Sequence, residues 1–536
     1  MEQETDGMKP SGGGTYAPEN VCIYVVSDYE ELADFLTEIR CREISESSIA
    51  KLSGIFNLIR TPVTVVCENG YPDKSYRDTY YAHFARKFTG LERDCKRLAF
   101  FLGELDPALF YRYDQGSEAL LQDKFVGVCV LKPIRYGEIG RTVLTPKKLR
   151  LPKCYLRSAP FTFHVLGHTL TADAYPYSSQ DTETMTCAEV SVWSILQYYG
   201  TRYSEYRTVL PSEIIRALEE LSDERVIPSR GSEFAWMSSL FKKFGLSSRL
   251  YDKRAFGSGD DCEREFKKLF HYYVESGIPL AVGISGRKRG ETVRHSVVCI
   301  GHGSRSKPVK ATDVNYMGNE TVYPYIDSAF LYDDYVMMDD NRTPYQVEAM
   351  GKLSGWDESE MRTFAVPLNR YVFLEAGDVS VLINTILVDD YLGITNLIPE
   401  MRERVDQNNP LILRVFLAQS SSYRNFRAKC AACVPVAAFY SSIPLPEYVW
   451  VAEISTYSSY QNRKIYGEIV IDATSGRNNY LDSLIMMRYL NHMGFRTPDE
   501  TSILPIDEGL KRRTKDLTFP YDMYSGNLME CGSDDL

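Results

Sequence analysis

Cys187, His295 and Asp339 have the types and the chain order that thiol chemistry requires. Cys187 opens an apolar run through Val190, Val192, Trp193, Ile195 and Leu196 to Tyr198-Tyr199-Gly200, the pattern of a buried helix that starts at the cysteine. About a hundred residues later His295 begins the β-like stretch Ser296-Val297-Val298-Cys299-Ile300. Further on, Val336-Met337-Met338 ends in Asp339-Asp340-Asn341. A free thiol, with a pKa of about 8.5, is mostly protonated at neutral pH; a helix N-terminus and an adjacent imidazolium lower that value. The thiolate attacks a carbonyl, the imidazole carries the proton to the leaving group, and a carboxylate on the far ring nitrogen fixes tautomer and orientation. Gln180, seven residues upstream of the cysteine, and the Cys187 N–H would supply donors for a tetrahedral oxyanion. Cys187 is the expected nucleophile, His295 the acid/base, Gln180 the oxyanion donor and Asp339 the orienting group, with Asp340 and Asn341 as alternatives.

The surrounding elements would hold these groups across a cleft. Helices are expected from Pro211, from Glu233 after Arg230-Gly231-Ser232 to Phe244-Gly245, and over Glu263 to Ser276. Strands follow at Pro279 to Ile284, His295 to Ile300 and Tyr335 to Met338. A helical half carrying the nucleophile and a β half carrying the base leave the site between them. His271, within a helix, and His302, past the strand, rank behind His295 as bases.

At these residues the chain resembles the papain-like cysteine peptidases, in particular their bacterial C39-like branch. The matching parts are Gln180, Cys187, Leu196 to Gly200, Gly231 to Phe234, Phe244 to Leu246, Gly277-Ile278-Pro279-Leu280, His295 and Asp339. The resemblance spans residues 171–350. It implies a papain-like α+β core that hydrolyses a peptide or isopeptide bond in a protein or peptide substrate through a Cys-His-Asp triad, without a cofactor or metal. Three features depart from the family pattern. Ala188 stands where glycine usually follows the nucleophile, the glutamine is one residue further upstream, and residues 302–330 look like an insertion between base and acid. Two other readings use the same cleft: an inactive peptide-binding scaffold, and a transglutaminase-like acyltransferase in which an amine replaces water.

The whole chain sets the class. Its 536 residues suffice for several domains, and 44% hydrophobic with 25% charged residues is ordinary globular composition. A net charge of −11 argues against general nucleic-acid binding; Lys147-Lys148-Leu149-Arg150 and Lys511-Arg512-Arg513 read as solvated runs. No apolar stretch is long enough for a membrane span, and Met1 to Gly7 has no secretory pattern. Twelve cysteines scattered over a long chain suggest reduced thiols in a cytoplasmic protein. Cys430 and Cys433, and His164 and His168, have spacings used by metal sites, but neither pair has the further ligands such a site needs.

Around the central module, residues 1–17 read as a disordered tail and 18–170 as an α+β module. In that module strands are expected near 19–26, 61–67 and 125–134, with a turn at Glu68 to Pro72 and an aromatic-rich helix from Asp73 to Phe88. Residues 365–536 form a third, β-rich α+β module. Strands are expected there at 370–374, 410–417, 449–455 and 467–471, helices over 382–387 and 481–492, and a loose end from Tyr524.

Overall fold

A computed structural model describes residues 20–534 except 39–43, 224–225, 228–232, 305–312, 318–321, 388–404, 432–433, 477–479, 490–491, 498–499 and 506–519. The expected tail, Gly231-Ser232 and Cys433 lie outside the described residues.

The chain begins with β1 (Val21–Val26), α1 (Tyr29–Glu38), α2 (Glu46–Leu58), β2 (Val63–Tyr71), α3 (Lys74–Ala82), β3 (Cys95–Leu102), α4 (Gln115–Lys124), β4 (Phe125–Leu131) and β5 (Ile139–Leu144). The five strands make an antiparallel sheet in sequential order. Strand β4 is buried along its whole length, which accounts for its unbroken apolar run. The turn expected at Glu68 to Pro72 is instead the end of β2. Gly70, at φ +72°, absorbs the turn residues as an irregularity between Glu68 and Tyr71, and pairing with β3 continues.

Next come β6 (Cys154–Leu156), β7 (Ala159–Val165) and β8 (His168–Ala174). The last two form a hairpin around Leu166-Gly167, both at positive φ, and their side chains alternate strictly between buried and exposed. His164 and His168 therefore occupy opposite faces. His168 is buried against the Phe110 carbonyl at 3.1 Å.

The central elements are α5 (Cys187–Arg202), α6 (Pro211–Leu221), α7 (Phe234–Lys243), β9 (Ser247–Asp252), α8 (Asp260–Glu275), β10 (Leu280–Lys288), β11 (Glu291–Gly303), β12 (Asn315–Met317), β13 (Tyr323–Asp327), β14 (Asp334–Met338), β15 (Gln346–Ala349) and β16 (Glu358–Leu368). An antiparallel sheet runs β15-β14-β11-β10-β16-β9, with β6 paired to the far end of β11. Its alternate residues feed two cores. Val298, Ile300, Val336 and Met338 face α5 and the N-terminal module, whereas Val297, Cys299, Tyr335 and Met337 face α8 and the C-terminal module. Burial on both faces explains why these strands read as continuous apolar runs.

After α9 (Ala376–Leu387), β17 (Leu411–Gln419), α10 (Ser420–Lys429), α11 (Val434–Ser442) and β18 (Tyr448–Thr456), the chain adds α12 (Tyr457–Gln461), β19 (Lys464–Ile465), β20 (Gly467–Asp472), β21 (Leu484–Tyr489), β22 (His492–Thr497), β23 (Glu500–Pro505), β24 (Tyr521–Asp522) and β25 (Met529–Cys531). A third sheet runs β12-β13-β17-β18-β20-β21-β22-β23. The α+β class expected from the sequence holds, with antiparallel pairing dominant.

Several local expectations fail. The helix expected over 481–492 is β21 and the start of β22; its short apolar core, Leu484 to Met487, suits a sheet strand as well as a helix. No strand occupies 370–374, because the strand of that region, β16, lies just before it. The end of the chain is not loose, since Tyr524 is fully buried and β25 pairs with β6. Strands and sheets run across the expected module edges at 170, 350 and 365. Strand β8 runs through residue 170, β16 extends the central sheet to 368, and β12-β13 of the insertion belong to the third sheet.

Candidate active site

The nucleophile's position is set at the start of α5. The first bond within that helix runs from the Val190 N–H to the Thr186 carbonyl at 3.0 Å, so the Cys187 N–H is one the helix geometry leaves without an i−4 acceptor. Glu189 folds back over the helix start, its carboxylate accepting from the Thr186 N–H at 2.9 Å and from the Thr186 hydroxyl. Between Gln180 and Cys187 the loop winds around Asp181. Its Oδ1 accepts from the N–H groups of Glu183, Thr184 and Met185 at 2.7–3.0 Å, and its Oδ2 from the Thr184 hydroxyl. One buried carboxylate thereby ties down three successive residues, Glu183, Thr184 and Met185.

The base and acid are brought together by strand register. Val298 pairs with Met338 in the antiparallel β11–β14 ladder. Continued past the strand end, that register sets residue 341 across from residue 295 and residue 339 close by. The side chains follow: His295 Nε2 donates to Asp339 Oδ1 at 2.8 Å, and the same oxygen accepts from the Asn341 N–H at 3.0 Å. Strand and helix are pinned by Ser296, whose hydroxyl donates to the Ser191 hydroxyl at 3.1 Å. Ser191 in turn donates to the Cys187 carbonyl at 2.8 Å.

The Cys187 side chain acts on the His295 ring as a hydrogen-bonding neighbour that favours the protonated imidazole. With Nε2 bonded to Asp339, Nδ1 is the ring nitrogen a thiol would meet. Burial pushes the His295 pKa down, but the hydrogen bonds to Asp339 and Cys187 and the charges of Asp339 and Asp340 reverse this and hold it well above its ordinary value. Burial raises the Asp339 carboxyl, yet the bond to His295 more than compensates and leaves it below the usual carboxylate range. Cys187 is half-buried, whereas burial pushes the enclosed thiols of Cys129, Cys154, Cys299 and Cys531 up to about 12.

Gln180 enters the cluster through Asn341. Its Nε2 donates to Asn341 Oδ1 at 2.8 Å, and Asn341 Nδ2 lies 3.3 Å from His295 Nε2. The indole of Trp356 sits with its ring centre 6.4 Å from that of His295. All four side chains singled out in the sequence thus share one cluster. Asn341, an alternative acid in that reading, bonds Gln180 through its amide oxygen and lies beside the histidine.

Asp340 was the other alternative acid, and it behaves differently. Both its oxygens are buried without a hydrogen-bond partner, one lies 3.5 Å from His295 Nε2, and burial raises its pKa to about 7. Among the described residues, His295, Asp339 and Asp340 are the one set of potential metal ligands whose atoms all fall within 4.8 Å of one another. An ion placed there would have to displace the 2.8 Å bond between His295 and Asp339.

The other candidate bases are committed elsewhere. His271 is fully buried, and burial pulls its pKa down to about 4. His302 Nε2 lies 3.1 Å from Glu275, which also accepts from Arg414 at 2.7 Å. No helix among the described residues is long and apolar enough to cross a membrane. No protein-family model matches the chain, and a search of curated proteins returns no match.

Proposed function

We propose that the protein is a papain-like cysteine peptidase that cleaves a peptide or isopeptide bond with Cys187, His295 and Asp339. One observation carries this reading. A single imidazole bonds a carboxylate at 2.8 Å and has the side chain of a cysteine at a helix start as its other hydrogen-bonding neighbour. In that arrangement the thiolate attacks the carbonyl carbon, the electron pair moves to the carbonyl oxygen, and the oxyanion meets the Cys187 N–H and the Gln180 amide. The His295 imidazolium protonates the leaving amine as the tetrahedral intermediate collapses to a thioester. Water, deprotonated by the then neutral His295, attacks the thioester and releases the acid. Asp339 keeps the ring oriented and stabilises its charged form throughout. Helix α5 packed on an antiparallel sheet that carries the base supports the papain-like assignment of the core.

Alkylation with iodoacetamide at pH 6, followed by mapping of the modified peptides, tests the reading. The enclosed thiols are held protonated, so Cys187 is expected to react first, and His295→Ala to remove that preference. Slow, uniform labelling of the half-buried Cys22, Cys187, Cys262 and Cys430 would sink it. For substrates found to be turned over, product analysis with and without added amine separates hydrolysis from acyl transfer.

A further inference from the structure

Lys51 lies on α2 of the N-terminal module and is only 8% exposed. Its Nζ donates to the Ser179 hydroxyl and to the Asp340 backbone carbonyl, both at 2.8 Å. Ser179 immediately precedes Gln180, and Asp340 lies between Asp339 and Asn341. One buried ammonium therefore bridges the loop that carries the glutamine and the turn that carries the acid. Burying a lysine is costly unless its donors are used, and an apolar side chain would fill the same space without that cost. Burial lowers the Lys51 pKa, while the carboxylates of Asp340 and Asp339 favour its charged form.

Other contacts seat the same two segments on the N-terminal module and against each other. Lys132 Nζ donates to the Ser179 carbonyl at 3.4 Å. Gly137, at φ +69°, lies so close to the Gln180 carbonyl that a Cβ would come within 1.9 Å of its oxygen. A Cβ on Gly54 of α2 would come within 2.1 Å of Thr343 Cγ2, just beyond the acid turn. The Tyr177 hydroxyl, upstream of Ser179, donates to the Arg342 carbonyl at 2.6 Å.

We infer that the N-terminal module completes the active site, with Lys51 as the positioning residue that locks the Gln180 loop to the Asp339–Asn341 turn. Lys51 touches no reacting atom. It acts by holding Gln180 where an oxyanion forms, and misplacing such a donor by an ångström costs up to about 10²-fold in rate. This rests on the thiol-acylation reading of Cys187 and adds to it a task for the region before residue 145.

Two reactions of the full-length protein separate positioning from general support. Acylation of Cys187 by p-nitrophenyl acetate builds a tetrahedral oxyanion, whereas alkylation by iodoacetamide does not. Lys51→Met is expected to slow acylation at least about tenfold and to change alkylation less than about threefold. Ser179→Ala, which removes one of the two acceptors without introducing a buried group, should give a smaller loss of the same kind. The double variant should be no worse than Lys51→Met alone, since both substitutions break one link. Equal losses in both reactions, or unchanged acylation in either single variant, would overturn the inference while leaving the peptidase reading standing. A wild-type protein whose Cys187 is not selectively alkylated would overturn both.

Discussion

Two buried clusters in this molecule combine histidine with carboxylate, and they are built to opposite ends. In one, His295 meets Asp339 at 2.8 Å with Asp340 beside it, and the buried ammonium of Lys51 donates to the Asp340 backbone and not to a carboxylate. In the other, His271 and His302 meet Glu275, but Arg414 bonds Glu275 at 2.7 Å and Glu453 at 2.7 Å, and Arg427 extends the network to Glu468. Where an arginine already neutralises the carboxylate, burial decides, and His271 is held neutral with a pKa near 4. Where no arginine bonds the carboxylate, the imidazole itself supplies the bonded positive charge and its pKa rises. Which cation answers the buried acid determines whether the histidine beside it is held neutral or charged.

Breaking the arginine-compensated cluster should cost stability and little else. Arg414→Met strands Glu275 and Glu453 and is expected to lower unfolding free energy by about 3–5 kcal/mol in chemical denaturation. Alkylation of Cys187, measured per folded molecule, should not change. His295→Ala should do the reverse, slowing Cys187 alkylation at pH 6 by about 10²–10³-fold with only a modest shift in the unfolding midpoint. Asp339→Asn keeps the shape but removes the charge that favours the imidazolium. A loss of about 10–10²-fold in the same assay is expected, and wild-type rates would contradict the role given to that carboxylate.

The last comparison concerns Asp340 and is read from pH. Its carboxyl holds a proton up to about 7 in the folded protein, against about 4 when unfolded. The stabilisation this provides is complete below about pH 4 and is lost as pH rises through about 7. Asp340→Asn should therefore flatten the fall in stability over that interval, so that variant and wild type diverge most above pH 7. Parallel stability curves would show that the carboxyl titrates normally.

The parts of the site that sequence exposed are those fixed by local pattern. Cys187 begins a helix whose residues 188–199 are all buried, and His295 and Asp339 sit where two neighbouring strands of one sheet place them. Lys51 was invisible because its partner at position 340 is 289 residues away, and a lysine in a short helix ordinarily reads as surface. Its one local signal is that it directly precedes Leu52 on a helix whose apolar face includes Ile55 and Phe56. The third sheet was only partly legible for a different reason. Strands β17 and β18 are long apolar runs, while Leu484 to Met487 is too short for periodicity to separate strand from helix.

Between His295 and Asp339 the chain leaves its own sheet, and β13 lies parallel to β17, a strand that emerges well after the acid. Base and acid are thus joined by a detour whose far end needs a later stretch of polypeptide to dock against. Such distant pairings close slowly. On the proposed peptidase reading, a chain still being synthesised would carry Cys187 before the strands bearing its base and acid have settled.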